Sequence, residues 1–206
     1  MQQFIARSES VDAVPVRGPI YQAMMSLSRL AATVAESLEE EVTRSAVLSA
    51  ECLTRGGKIL VCGNGGSAAD SQHFVAELIG RMCSERQSLP AISLSSDPSI
   101  VTALGNDYGY ENVFSRQVEG LGHEGDVLLA ISTSGRSPNI LKALQVARNK
   151  GMKTIALVGE SGDASIENCE VVIHIPSKDT QRVQELHTAV LHAICEHVER
   201  VITETL

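Results

Sequence analysis

Four hydroxyl side chains crowd one stretch of this chain: Ser132, Thr133, Ser134 and Ser137 in ISTSGRSPNI, residues 131 to 140. They surround a glycine where an apolar run gives way to a helical pattern. That setting suits an anion held by free backbone N–H groups at a helix N-terminus. Ser137 followed by Pro138 also fits a helix cap, but a cap uses one hydroxyl rather than four, so the expected ligand is a phosphate. The stretch lacks the lysine of a nucleoside-triphosphate P-loop. A second stretch, GNGGSAAD over residues 63 to 70, has side chains small enough to let backbone N–H groups approach ligand oxygens, and Ser67 is expected to cap the helix that follows. The need for positive φ in a tight strand-to-helix turn would also explain these glycines. Gly63, Gly65 and Ala68 formally satisfy a dinucleotide fingerprint with Asp97 as its acidic partner, but that reading gives no account of the serine loop.

Titratable groups supply the rest of the chemistry. His73 and Glu77 stand four residues apart just after the glycine loop, so they share one helix face. Such a pair is more often a surface pair than a metal site. The C-terminal helical pattern, roughly Asp179 to Leu206, carries Gln184, Glu185, His187, His192, Glu196 and His197. At ~100° per residue, Gln184 and His192 are ~80° apart and Glu185 and His192 only ~20°. Helical angles therefore prefer Glu185 with His192, and periodicity does not settle the ligands.

The elements that must position these groups follow from the apolar pattern. Five short apolar runs, KILVC (58 to 62), PAISLS (90 to 95), VLLAIS (127 to 132), KTIALV (153 to 158) and EVVIHIP (170 to 176), alternate with helical segments. That order predicts an α/β fold, a three-layer α-β-α sandwich on a five-stranded parallel sheet. Ligands then bind beyond the carboxyl ends of the strands, in the loops after Cys62, Ser95 and Ser132. Before the first strand, Leu27, Leu30, Val34, Leu38 and Val42 recur at helical spacing between Ile20 and Leu53, an extra N-terminal helical segment. Residues 1–18 carry breakers without periodicity and are expected to form a flexible arm, leaving 19–206 as a single domain.

Composition bounds the function. The 206 residues are 43% hydrophobic and 20% charged, within soluble-globular norms. Only 3% are aromatic and none is Trp, so the core must be aliphatic and base-stacking platforms are not expected. A net charge of −8 disfavours nucleic-acid and anionic-membrane partners. Five cysteines without a C-x-x-C pair fit reduced cytoplasmic thiols, and no run reaches the ~18 apolar residues of a membrane span.

At GNGGSAADSQHFVAELIGR, ALGNDYGYENVFSRQVE, GDVLLAISTSGRSPN and QRVQELHTAVLH, the sequence resembles the phosphoheptose isomerases of the sugar isomerase (SIS) domain superfamily, from about residue 20 to 206. The resemblance implies a flavodoxin-like SIS fold and isomerisation of D-sedoheptulose 7-phosphate to D-glycero-D-manno-heptose 7-phosphate, on the route to activated heptose for surface polysaccharide. It implies that Ser132, Thr133, Ser134 and Ser137 hold the phosphate, and that Asn64, Gly65, Gly66, Ser67, Asn106, Asp107 and Gln184 line the substrate. One zinc per subunit is implied on His73, Glu77, Gln184 and His192, in place of the Glu185 preferred by helical angles. Glu77 and His192 are the implied acid/base pair, and Glu77 also contacts substrate. A homotetramer with sites completed at subunit interfaces is implied as well. Residues Ser177 to Gln181 depart from the aspartate-containing segment of some members. The rival is a non-catalytic SIS protein, like tetrameric relatives that associate with the bacterial replication initiator or act as sugar-phosphate-sensing scaffolds. Those relatives lose parts of the metal and acid/base set, whereas all four positions are filled here.

Overall fold

The computed structural model describes residues 18–205. The arm expected over residues 1–18 therefore lies outside the described residues, apart from Gly18. Pro19 occupies the first turn of α1 (Pro19–Ser37), where its missing N–H costs nothing. The long helical pattern breaks at Leu38, with φ −121° and ψ 12°. It restarts as α2 (Glu39–Thr54), whose first turn carries Glu39, Glu40 and Glu41, a charge placement that favours a helix start.

All five predicted strands form, as β1 (Ile59–Gly63), β2 (Ala91–Ser93), β3 (Val127–Ser132), β4 (Lys153–Val158) and β5 (Val171–His174). They pair in parallel in the order β2-β1-β3-β4-β5. This is the flavodoxin-like order, which changes direction between β1 and β3. The helices between are α3 (Gly66–Ile79), α4 (Pro98–Tyr108), α5 (Ser115–Leu121) and α6 (Pro138–Asn149), with α7 (Thr180–Thr205) at the end.

Because strand side chains alternate, each central strand feeds two cores. Ile59, Val61, Val127, Leu129, Ile155 and Ile173 pack with α1, α2, α3 and α7 on one face. Leu60, Cys62, Leu128, Ala130 and Ala156 pack with α5 and α6 on the other. Both cores are aliphatic, as composition required, with Phe74 in the first and Phe114 in the second. No described helix is long and apolar enough to cross a membrane.

Candidate active site

The loops after β1 and β3 lie side by side, because those strands are paired through Gly63 opposite Ile131. After β1 the chain turns at Gly65, φ +57°, and enters α3 at Gly66. Ser67 does not cap this helix as expected: the cap position is Gly65, with no side-chain bond, and Ser67 is buried inside the first turn. After β3, Gly135 takes φ +61°, and its N–H donates to Ser132 Oγ at 3.1 Å. Ser132 Oγ lies 3.5 Å from Ser137 Oγ, and Arg136 N–H donates to Ser134 Oγ at 3.3 Å. Ser137 occupies the α6 cap position without a side-chain cap bond, and Pro138 follows. Its hydroxyl stays with the serine cluster.

Helices α3 and α7 run parallel, matched step by step. Gln184 lies over Gly66, where a Cβ would fall 1.6 Å from its Nε2. Thr188 Oγ1 donates to Asp70 Oδ1 at 2.9 Å. His192 Nε2 lies 2.7 Å from His73 Nε2, and farther along Glu199 accepts from Cys83 N–H at 2.7 Å. The α7 residues that meet α3, Gln184, Thr188 and His192, step by four, along a ridge inclined to the helix axis. That inclination corrects the helical-angle preference for Glu185. Its carboxylate instead accepts from Arg182 at 2.9 Å, and Arg182 in turn donates to the Ala23 carbonyl of α1 at 2.7 Å.

His73, Glu77 and His192 converge, their ligand atoms all within 4.8 Å of one another. Glu77 Oε1 is 3.6 Å from His73 Nε2. Two imidazole nitrogens and a carboxylate oxygen are a donor set that suits a divalent metal such as zinc. Gln184 shares their ridge, its amide against Gly66. Below the cluster, Arg86 Nη2 donates to the Glu77 backbone carbonyl at 2.7 Å and Arg86 Nε faces Glu199 Oε1 at 3.2 Å. Burial pushes the Glu199 carboxyl up, but N–H groups of Cys83, Ser84 and Met82 and the Arg86 charge outweigh it and hold the pKa below the usual range. Asp70 goes the other way: burial raises its pKa against opposing effects of Thr188 and His73.

Residues 23–159 match the SIS domain model. Similar curated proteins include the phosphoheptose isomerase of Aliarcobacter butzleri strain RM4018, 46% identical over 91% of this chain and 100% of that protein. Another is the phosphoheptose isomerase of Helicobacter pylori strain P12, 53% identical over 80% of this chain and 86% of that protein. The solved structure of phosphoheptose isomerase GmhA from Neisseria gonorrhoeae aligns with TM-score 0.83 at 40% identity, covering 88% of this chain and 97% of that one. The chain belongs to the phosphoheptose isomerase family of SIS domain proteins. It is an isomerase, and the non-catalytic scaffold reading is not favoured.

Within this isomerase, three implied site residues sit apart from the His73, Glu77 and His192 cluster. Asn106 and Asp107 are exposed near the end of α4 and bond each other at 2.8 Å. It is Tyr110 from that segment that reaches the glycine loop, donating to Asn64 Oδ1 at 3.1 Å. Asn64 also pairs with Asn139 through two bonds of 2.9 Å. Asp97 is no ribose ligand here: it caps α4, accepting from Ser99 and Ile100 N–H. Sequence reasoning missed Tyr110, Asn139, Asp70 and Thr188. Thr188 was marked by its place midway between Gln184 and His192, and the first two lie inside stretches already singled out.

Proposed function

We propose that this isomerase interconverts D-sedoheptulose 7-phosphate and D-glycero-D-manno-heptose 7-phosphate in the cytoplasm, supplying activated heptose for surface polysaccharide. The observation that carries the reading is the convergence of His73 and Glu77, on the helix that follows the glycine loop, with His192 of α7. Ser132, Thr133, Ser134 and Ser137, with the N-terminus of α6, hold the phosphate. Asn64, Gly65, Gly66, Ser67, Asn106, Asp107 and Gln184 line the sugar. Aldose–ketose exchange moves a proton between C1 and C2 through an enediolate, so it requires a base for carbon and an acid for oxygen. Glu77 carries the carbon-bound proton and His192 serves the oxygens. His73, Glu77, Gln184 and His192 would hold one zinc, which supplies Lewis-acid polarisation of the substrate oxygens when bound. Residues 19–206 act as a single SIS unit, and the working form is a homotetramer. Ile20, Tyr21 and Met24, exposed on α1, support that assembly.

The test is turnover of sedoheptulose 7-phosphate by the purified protein with and without a chelator. Turnover that chelation removes and zinc restores is expected, with Glu77→Gln lowering kcat by about 10²-fold or more. Absence of turnover by folded, zinc-supplied protein would overturn the isomerase reading. Turnover indifferent to chelation would overturn the zinc assignment.

A further inference from the structure

Asn139 lies two residues into the α6 side of the serine loop and is 2% exposed. Its Oδ1 accepts from Ile140 N–H at 3.0 Å and from Asn64 Nδ2 at 2.9 Å, while its Nδ2 donates to Asn64 Oδ1 at 2.9 Å. The backbone donor fixes which end of the Asn139 amide is oxygen, and that in turn fixes the orientation of Asn64. Tyr110 then completes the acceptor capacity of Asn64 Oδ1. A helix terminus has use for the oxygen of residue 139 alone, which an aspartate would supply equally. The donating half of the amide has Asn64 as its partner.

We propose that Asn139 is a positioning residue of the isomerisation: its reciprocal amide pair with Asn64 ties the loop after β1 to the loop after β3. The tie crosses the place where the sheet order reverses, and it sets the span between the phosphate end of the substrate and its reacting carbons. It also limits what Asn64 offers. With both lone pairs of its oxygen taken, Asn64 presents a ligand with an N–H donor rather than an acceptor. The catalytic part of this inference rests on the isomerase reading, and the tie itself can be tested without it.

Asn139→Asp keeps both acceptor contacts and removes the donated bond; Asn139→Ala removes the whole pair. Hydrogen exchange at residues 63–66 should accelerate in both variants, about tenfold or more, with α6 past its first turn unchanged. In steady-state assays with sedoheptulose 7-phosphate, kcat should fall about 10- to 100-fold, because small misplacements of reacting groups cost that much, with a smaller change in KM. Adding Asn64→Ala to Asn139→Ala should cost little more than either alone. Unchanged exchange at 63–66 would overturn the tie. Full activity in Asn139→Asp, or additive losses in the double variant, would overturn its role in positioning. Faster exchange in both variants together with a wild-type protein that shows no turnover would instead sink the sedoheptulose 7-phosphate reading and leave the tie standing.

Discussion

His187 shares α7 with Gln184 and His192 but turns into the core, where it is fully buried. Neither ring nitrogen has a well-formed hydrogen bond. Burial depresses its pKa to about 4, and the nearby Val158 backbone opposes this only in part. An unfolded histidine takes up its proton near pH 6.5. Between these values the unfolded state binds more protons, so stability rises with pH and is lost as pH falls from 6.5 toward 4. At pH 5 this single group should cost about 2 kcal/mol relative to neutral pH. Urea unfolding at pH 7 and pH 5 measures it: the wild type should lose about that much more stability than His187→Leu. Equal losses would mean that the folded ring takes up its proton as readily as the unfolded one, and would overturn the buried neutral state.

The pairing of α3 with α7 makes the His73, Glu77 and His192 cluster possible, since each helix contributes donors that neither could assemble alone. At Gly66 the Gln184 amide packs directly against the α3 backbone, so a Cβ there would overlap it. The clashing atoms belong to the free end of a flexible side chain, so the helices need not separate to relieve it. Gly66→Ala should therefore melt within a few degrees of wild type while displacing Gln184. Zinc affinity, measured by competition with a chromophoric chelator, should fall about tenfold or more, the scale expected when groups around a metal are disturbed. Unaltered affinity would remove Gln184 from the ligand set. The buried Arg86–Glu199 pair secures the far end of the same helix pair. Removing one partner of such a pair strands the other charge, so this contact locks the docking rather than merely adding to it.

The N-terminal helix α1 carries some of the most exposed apolar side chains of the described residues. Ile20 is 81% exposed and Met24 53%, and an apolar groove runs between α1, α2 and α7, lined by Val34, Leu38, Val42, Leu186 and Val190. Light scattering should give about four times the 22.0 kDa chain mass. Charges at this surface should oppose association, so Ile20→Glu with Met24→Glu should lower that mass and leave the circular dichroism spectrum unchanged. A wild-type monomer at working concentration would end the tetramer proposal, and a tetramer indifferent to both substitutions would move its interface elsewhere.

Local chemistry made much of this molecule legible in its amino acids. Doubly buried parallel strands must be continuous apolar runs, so all five strands and the loops that follow them could be located. A small-residue turn and a cluster of hydroxyls point to loops that suit ligand oxygens, so these two could be singled out in advance. The relations between segments were another matter. Helical angles favoured Glu185 because they treat a contact face as a strip parallel to the axis, whereas α3 follows an inclined ridge through Gln184, Thr188 and His192. Ser67 has a residue type that favours a cap, yet the cap position of α3 falls two residues earlier, at Gly65. The Asn64–Asn139 pair, 75 residues apart in sequence, has no periodic or compositional signature. It exists because β1 and β3 are neighbours in the sheet, and strand order is set by packing over the whole domain rather than by any local run of residues.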